Sequence, residues 1–262
     1  MVFGKADFSA TAGNLNLSSL NGTNGFKLSG VAGDDYSGRS VSAAGDVNGD
    51  GFDDLLIGAD GADPNGNAVS GASYVVFGKA DFSATAGTLN LSTLNGTTGF
   101  KLSGVAAGDS AGSSVSAAGD VNGDGFDDLL IGAPGAGPNG LPASGASYVV
   151  FGKADFSGTA GNLNLATLNG TTGFKLSGVA ANDSSGGAVS AAGDVNGDGF
   201  DDLLIGAAYA NPNANSEAGA SYVVFGKADF SATAGNLNLS TLNGTSASSS
   251  AASRPTITPA AR

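Results

Sequence analysis

The sequence predicts an all-β fold built from tandem four-stranded units, and two observations carry that prediction. Self-comparison gives a repeat: V-F-G-K-A-D-F recurs with Phe3, Phe77, Phe151 and Phe225, and the acidic loop D-V-N-G-D-G-F-D-D recurs from Asp46, Asp120 and Asp194. Both series step by 74 residues. The composition is the second observation, with 45 glycines among 262 residues, 13% charged residues and no charged stripe of helical period. Such a chain reads as strands joined by many turns, with almost no helix.

Each period shows the same strand signals in order, at Val41–Gly45, Asp54–Ala59, Ala72–Gly78 and Phe100–Gly104 in the first. Leu55-Leu56-Ile57 and Tyr74-Val75-Val76-Phe77 are continuous apolar runs, the pattern of strands covered on both faces. Phe100-Lys101-Leu102 alternates, which suits an outer edge strand whose lysine discourages edge-to-edge pairing. Four-stranded antiparallel units, apolar on both faces and repeated in tandem, are expected to stack radially as propeller-like blades. Residues 1–245 then form the repeat region, with periods starting near 3, 77 and 151 and a partial fourth from 225. The Ser/Ala/Pro-rich residues 246–262 read as a disordered tail.

Three blade equivalents fall below the usual four to eight. The fourth-strand signal at Phe26–Gly30 has no first three strands before it, and the unit Val189–Gly226 lacks a fourth. One option is that the N-terminal strand completes the last blade and closes a three-blade ring. Otherwise the chain forms an open arc, is a non-autonomous piece of a larger array, or joins a second copy in a homo-oligomeric ring by exchanging that strand.

The acidic loop carries the chemistry. Its first, third and fifth positions are Asp46, Asn48 and Asp50, its sixth is Gly51, its ninth is Asp54, and Phe52 at the seventh offers a backbone carbonyl. Hard cations such as calcium take six to eight oxygen ligands, and alternate side chains of a tight loop can surround one ion. A hairpin turn explains Asn48-Gly49 and Asp50-Gly51 but not the additional carboxylates. We therefore expect three calcium sites, one per repeat. The second would use Asp120, Asn122, Asp124, Phe126 and Asp128, and the third Asp194, Asn196, Asp198, Phe200 and Asp202. Asp53, at position eight, is expected to face solvent. Ile57 stands where an EF-hand has its bidentate glutamate, and L-L-I-G-A follows as a strand, so the loop joins strands and not helices.

The stretch D-V-N-G-D-G-F-D-D-L-L-I-G-A-P from Asp120 to Pro134 resembles the FG-GAP repeat of integrin α-subunit propellers and their bacterial relatives. The resemblance extends over roughly 240 residues and implies a propeller blade with calcium in the hairpin between its first two strands, in proteins of cell adhesion and the extracellular surface. This sequence departs from the pattern where Ser37, Ala111 and Ser185 replace the phenylalanine before the next glycine, and only Pro134 keeps the proline.

Other classes are disfavoured. The net charge is −13 with basic residues scattered singly, so neither nucleic acid nor an anionic membrane is an expected partner. No apolar run is long enough to span a bilayer, and the N-terminus shows no signal pattern. Without histidine or cysteine, Ser–His and Cys–His catalysis is impossible, which leaves a metal-assisted carboxylate hydrolase as the enzymatic alternative. A protein or glycan ligand is expected on the face opposite the acidic loops, where Tyr36, Arg39 and Tyr209 vary between repeats. Tyr74, Tyr148 and Tyr222 belong to the core. Asn21, Asn95, Asn169 and Asn243 begin Asn-Gly-Thr triplets that match both a glycosylation acceptor and a turn.

Overall fold

The computed structural model describes residues 1–4, 14–243 and, as backbone, 247–251. Among them the regular structure is all β, with three-residue 3₁₀ turns and no α-helix. Three antiparallel blades follow one another along the chain. The first runs from inner to outer strand as β2 (Val41–Gly45), β3 (Asp54–Ala59), β4 (Ala72–Val76) and β6 (Gly99–Ser103). In the second these become β7 (Ser114–Gly119), β8 (Asp128–Ala133), β9 (Ala146–Val150) and β11 (Gly173–Ser177). The third has β12 (Ser185–Gly193), β13 (Asp202–Ala207), β14 (Ala220–Val224) and β16 (Ala247–Ala251).

Three features differ from the sequence expectations. First, each period carries a fifth short strand: β5 (Thr88–Asn90), β10 (Asn162–Asn164) and β15 (Asn236–Asn238). Each pairs in parallel with the outermost strand of the preceding unit, β10 on β6 through Asn162 opposite Lys101. Lys101 is therefore not on a free edge, because the following period covers that edge. The T-L-N or N-L-N triplet is too short to carry a strand periodicity.

Second, the N-terminal strand β1 (Lys27–Ser29) does not complete the last blade. It pairs in parallel with β5, in the register by which β6 pairs with β10. Third, residues 247–251 of the supposed tail form β16, which opposes Val224 with Ala247 and Ala220 with Ala251. That is the ladder position of β6, where Val76 opposes Gly99 and Ala72 opposes Ser103. A-S-S-S-A thus stands where the other blades have G-F-K-L-S. The backbone groups on the β14 edge recruit the next available segment, although its composition gave no strand signal. The remainder of the tail lies outside the described residues.

The core is the set of interfaces between blades. Leu56, Val75, Phe100 and Leu102 on one blade pack against Leu129, Ile131, Tyr148 and Val150 on the next, nearly all fully buried. Leu130, Val149, Phe174 and Leu176 repeat the arrangement against Leu203, Ile205, Tyr222 and Val224. Both faces of the second blade's sheet are covered, which explains the continuous apolar runs. Phenylalanine triads close the outer seams: Phe100 stacks on Phe156 at 4.3 Å and Phe77 meets both. The array is not closed into a ring, since Val195 and Leu204 in the third blade are 56% and 38% exposed where Val47, Val121, Leu56 and Leu130 are fully buried.

Candidate metal centre

The hairpin between the first two strands of each blade is shaped by its own side chains. Gly49 and Gly51 take φ of 71° and 88°, a left-handed conformation in which a Cβ is strained, so the chain can turn twice within five residues. Asp46 lies at the head of the turn, and its carboxylate accepts the Asp50 and Gly51 N–H groups at 3.0 and 2.8 Å. Asn48 Oδ1 accepts from Asp50 N–H at 2.9 Å, and Asp50 Oδ1 accepts from Phe52 N–H at 3.0 Å. Asn48 Nδ2 donates to Asp50 Oδ2 at 3.0 Å. These are Asx-type turns in series, a local alternative to ladder hydrogen bonding.

Asp54 sits apart from this cluster in depth and in role. It is fully buried at the base of the hairpin, where its carboxylate accepts from Val47 N–H at 3.1 Å and Gly78 N–H at 2.8 Å. It thereby ties the acidic loop to the F-G-K turn that follows the third strand. Desolvation, with a smaller contribution from Asp50 and Asp46, pushes its pKa up to about 7. Asp128 is held by Val121 and Gly152 in the same way and is pushed up to about 8, again chiefly by desolvation. Asp202 accepts from Val195 and Gly226. The second and third loops repeat the upper part, with Asp120 accepting from Gly123, Asp124 and Gly125, and Asp194 from Gly197, Asp198 and Gly199.

The structure thus gathers Asp46, Asn48 and Asp50 on one tight turn, with Asp54 beneath. Their oxygens hold amide N–H groups, and among the described residues no three acidic side chains converge closely enough to hold a metal ion. The donor chemistry nevertheless fits a hard cation. The side chains of Asp46, Asn48, Asp50 and Asp54 would each meet an ion through oxygen, and Asp50 and Asp46 add to the desolvation that raises Asp54, as Asp124 and Asp120 do for Asp128.

Position eight corrects the sequence reading. Asp53 is exposed as expected, but Asp127 Oδ2 accepts from Asp46 N–H at 2.8 Å and Asp201 Oδ2 from Asp120 N–H at 2.9 Å. Each of these carboxylates reaches back to the loop of the preceding blade. The phenylalanine before it follows, because a Cβ on Gly49 would lie 2.5 Å from the Phe126 ring and one on Gly123 equally close to Phe200. The loops therefore join blades as well as strands. A third aspartate at the same place in every copy was the available signal.

On the opposite face Tyr36 and Tyr209 are 60% and 55% exposed, and Arg39 pairs with Asp60 at 3.1 Å. Tyr74, Tyr148 and Tyr222 are buried as expected, and desolvation pushes the Tyr74 hydroxyl up to about 12. Asn21, Asn95 and Asn169 use Oδ1 to accept turn N–H groups two and three residues ahead.

Comparison with known proteins agrees with this division of the chain. The FG-GAP repeat matches residues 37–76, 111–150 and 185–224, each running from the approach to an inner strand to the end of the third strand. The chain is similar to integrin alpha pat-2 of Caenorhabditis elegans, 32% identical over 198 residues, which are 74% of this chain and 14% of that protein. No helix among the described residues is long and apolar enough to cross a membrane. The chain carries three FG-GAP repeats, one to each antiparallel blade, and is related to the integrin α subunits.

Proposed function

We propose that this chain is a calcium-stabilised, non-catalytic adhesion or scaffold module of the extracellular space or cell surface. The observation that carries the reading is the placement of the acidic loops: each hard-oxygen turn is both a hairpin and, through Asp127 and Asp201, part of a seam between blades. Side-chain oxygens of Asp46, Asn48, Asp50 and Asp54 with the Phe52 carbonyl, and their counterparts in the other loops, would hold one ion per repeat. The ion would neutralise a carboxylate cluster whose buried member already resists ionisation. Holding the turn rigid then holds the seam. Loops of this kind in extracellular modules bind calcium at roughly 10⁻⁴–10⁻³ M, a range matched outside cells.

An ion that binds only the folded state adds about 2.7 kcal/mol per site at a hundred times its dissociation constant. Thermal unfolding in millimolar calcium and in chelator tests this: the midpoint should rise with calcium, and Asp46→Ala should reduce the rise. Equal midpoints would remove calcium from the account. A protein or glycan ligand is proposed for the face that bears Tyr36 and Tyr209, opposite the acidic loops. Glycan arrays and pull-down with purified surface proteins address that part separately.

A further inference from the structure

The chain uses one blade-to-blade interface twice, and its two outer blades each present half of a third. Four contacts define that interface. Ser40 Oγ and Ser114 Oγ donate to the Gly112 and Gly186 carbonyls. Gly71 and Gly145 form parallel bridges with Ala111 and Ser185. Asp127 and Asp201 accept the Asp46 and Asp120 N–H groups. Lys153 and Lys227 donate their backbone N–H to the Val47 and Val121 carbonyls.

The receiving half of a third interface lies open on the third blade. Val195, the counterpart of Val47 and Val121, is 56% exposed, and Leu204 is 38% exposed. Gly206, Ala207, Gly219, Ala220 and Ser221 line a cleft of about 930 Å³. In the two internal interfaces the matching floor is filled: a Cβ on Gly112 would touch the Ala72 carbonyl and Ser73, and one on Gly186 would touch Ala146 and Ser147. The inserting half lies open on the first blade, where Val41 is 68% and Phe52 43% exposed and Asp53 is exposed too.

The outer strands show the same division. β4, β9 and β14 are all A-S-Y-V-V, and β6 and β11 are both G-F-K-L-S. Gly25–Ser29, which contains β1, is also G-F-K-L-S, yet β1 itself has β5 on one side, and on the other side the described pairing is confined to Met1–Phe3 against Asn24–Phe26. β14 meanwhile pairs with A-S-S-S-A in place of that sequence. Phe225 is only partly buried where Phe77 and Phe151 are buried against edge-on ring partners.

We propose that a second copy of this chain docks head to tail on the third blade. Its β1 takes the ladder position of β16, Gly38 enters the cleft, and Asp53 meets the Asp194 N–H. Phe225 and residues 236–243 of the receiving copy are equivalent to Phe3 and residues 14–21 of the incoming copy and compete with them for one place. The receiving segment keeps it, since β15 is paired with β11 and Phe230 and Leu239 are buried. Met1 and Val2 of the incoming copy then release Gly25, and Phe225 replaces Phe3 beside Phe26. The contact is heterologous, so it closes a ring if the rotation allows and otherwise extends. The proposal rests on packing alone and stands whether or not the acidic loops take calcium.

The chain has no cysteine, which makes a disulfide readout clean. Antiparallel partners have Cα atoms about 4.5–5.5 Å apart, within disulfide range. Leu102 opposes Ser73 and Leu176 opposes Ser147, so Leu28 of one copy should oppose Ser221 of another. Full-length Leu28→Cys and Ser221→Cys single variants, mixed and mildly oxidised, should give a cross-linked heterodimer far in excess of either homodimer. Sedimentation of the unaltered chain should give a mass of at least twice 25.0 kDa. Leu204→Glu, exposed in the isolated chain, should weaken association about tenfold or more with an unchanged circular dichroism spectrum. A mass of 25.0 kDa at all concentrations would overturn the proposal. So would an intramolecular disulfide in the double variant, which would mean ring closure within one copy, or the absence of any cross-link.

Discussion

The Asp127 carboxylate accepts the backbone N–H of Asp46 at 2.8 Å, across the seam between the first and second blades. Two loops that would each be a self-contained turn are thereby made to depend on one another. A buried or half-buried N–H that loses a charged acceptor costs about 1–3 kcal/mol. Asp127→Ala should lower the unfolding free energy by about that amount, whereas Asp53→Ala in dilute solution should fall within about 0.5 kcal/mol of the parent. Urea denaturation of the two variants side by side decides the point, and equal losses would mean that position eight acts only through loop charge.

Phe156 is 2% exposed, stacks on Phe100 at 4.3 Å and carries the Lys153 ammonium 5.0 Å above its ring. It comes from the period after Phe100, so its ring links one blade to the next. Removing a large buried ring typically costs about 3–5 kcal/mol, and stacking adds to that. Phe156→Ala should therefore destabilise more than any single change in an exposed loop, while Phe156→Leu recovers part of the loss. Calorimetry should show one cooperative transition shifted downward; a second, separate transition would mean that the blades unfold independently.

The strands and the acidic loops were legible because they recur. Val41–Gly45 and Asp54–Ala59 were placed to the residue, and the buried tyrosines followed from apolar runs that only a doubly covered sheet would need. What escaped were relations between repeats. A three-residue strand such as Asn162–Asn164 has no periodicity to detect, and its partner Lys101 lies about 60 residues earlier. The role of Asp127 escaped because its partner, the Asp46 N–H, belongs to another copy of the motif. β16 escaped for a different reason: its place is set by the bare β14 edge, and A-S-S-S-A contributes no signal of its own. In the acidic loop the residue set was readable, but the depth of Asp54 and its ties to Val47 and Gly78 depend on where the third strand ends.

Asn95 Oδ1 accepts from the N–H and hydroxyl groups of both Thr97 and Thr98, so the Asn-Gly-Thr turn is organised around a single oxygen. Asn95→Ala should cost about 1 kcal/mol through loss of this cap. Asn95→Asp keeps the acceptor and should be nearly neutral, although it destroys any glycosylation acceptor. Chemical denaturation of the unglycosylated variants separates the roles: an equal loss in both would show that the amide nitrogen matters, and no loss in either would show that the turn needs only Gly96.

The acidity of the buried loop carboxyls predicts an inverted pH response. Desolvation raises Asp54 from 3.8 to about 7 and Asp128 from 3.8 to about 8, so in chelator the folded chain binds protons more tightly than the unfolded chain does. Stability then falls as pH rises from about 4 through 8, the reverse of the usual carboxylate case. Asp81, Asp155 and Asp229 shift downward because Ser83, Ser157 and Ser231 donate to them, but their effect is complete below the ordinary carboxylate range and leaves pH 5–8 untouched. In chelator the melting temperature should thus be higher at pH 5 than at pH 8. Asp128→Asn, which retains a polar acceptor without the charge, should flatten the slope. Saturating calcium should reverse it, because ionised loop carboxylates are then the favoured form. A melting temperature that rises with pH in chelator would show that Asp54 and Asp128 ionise without penalty.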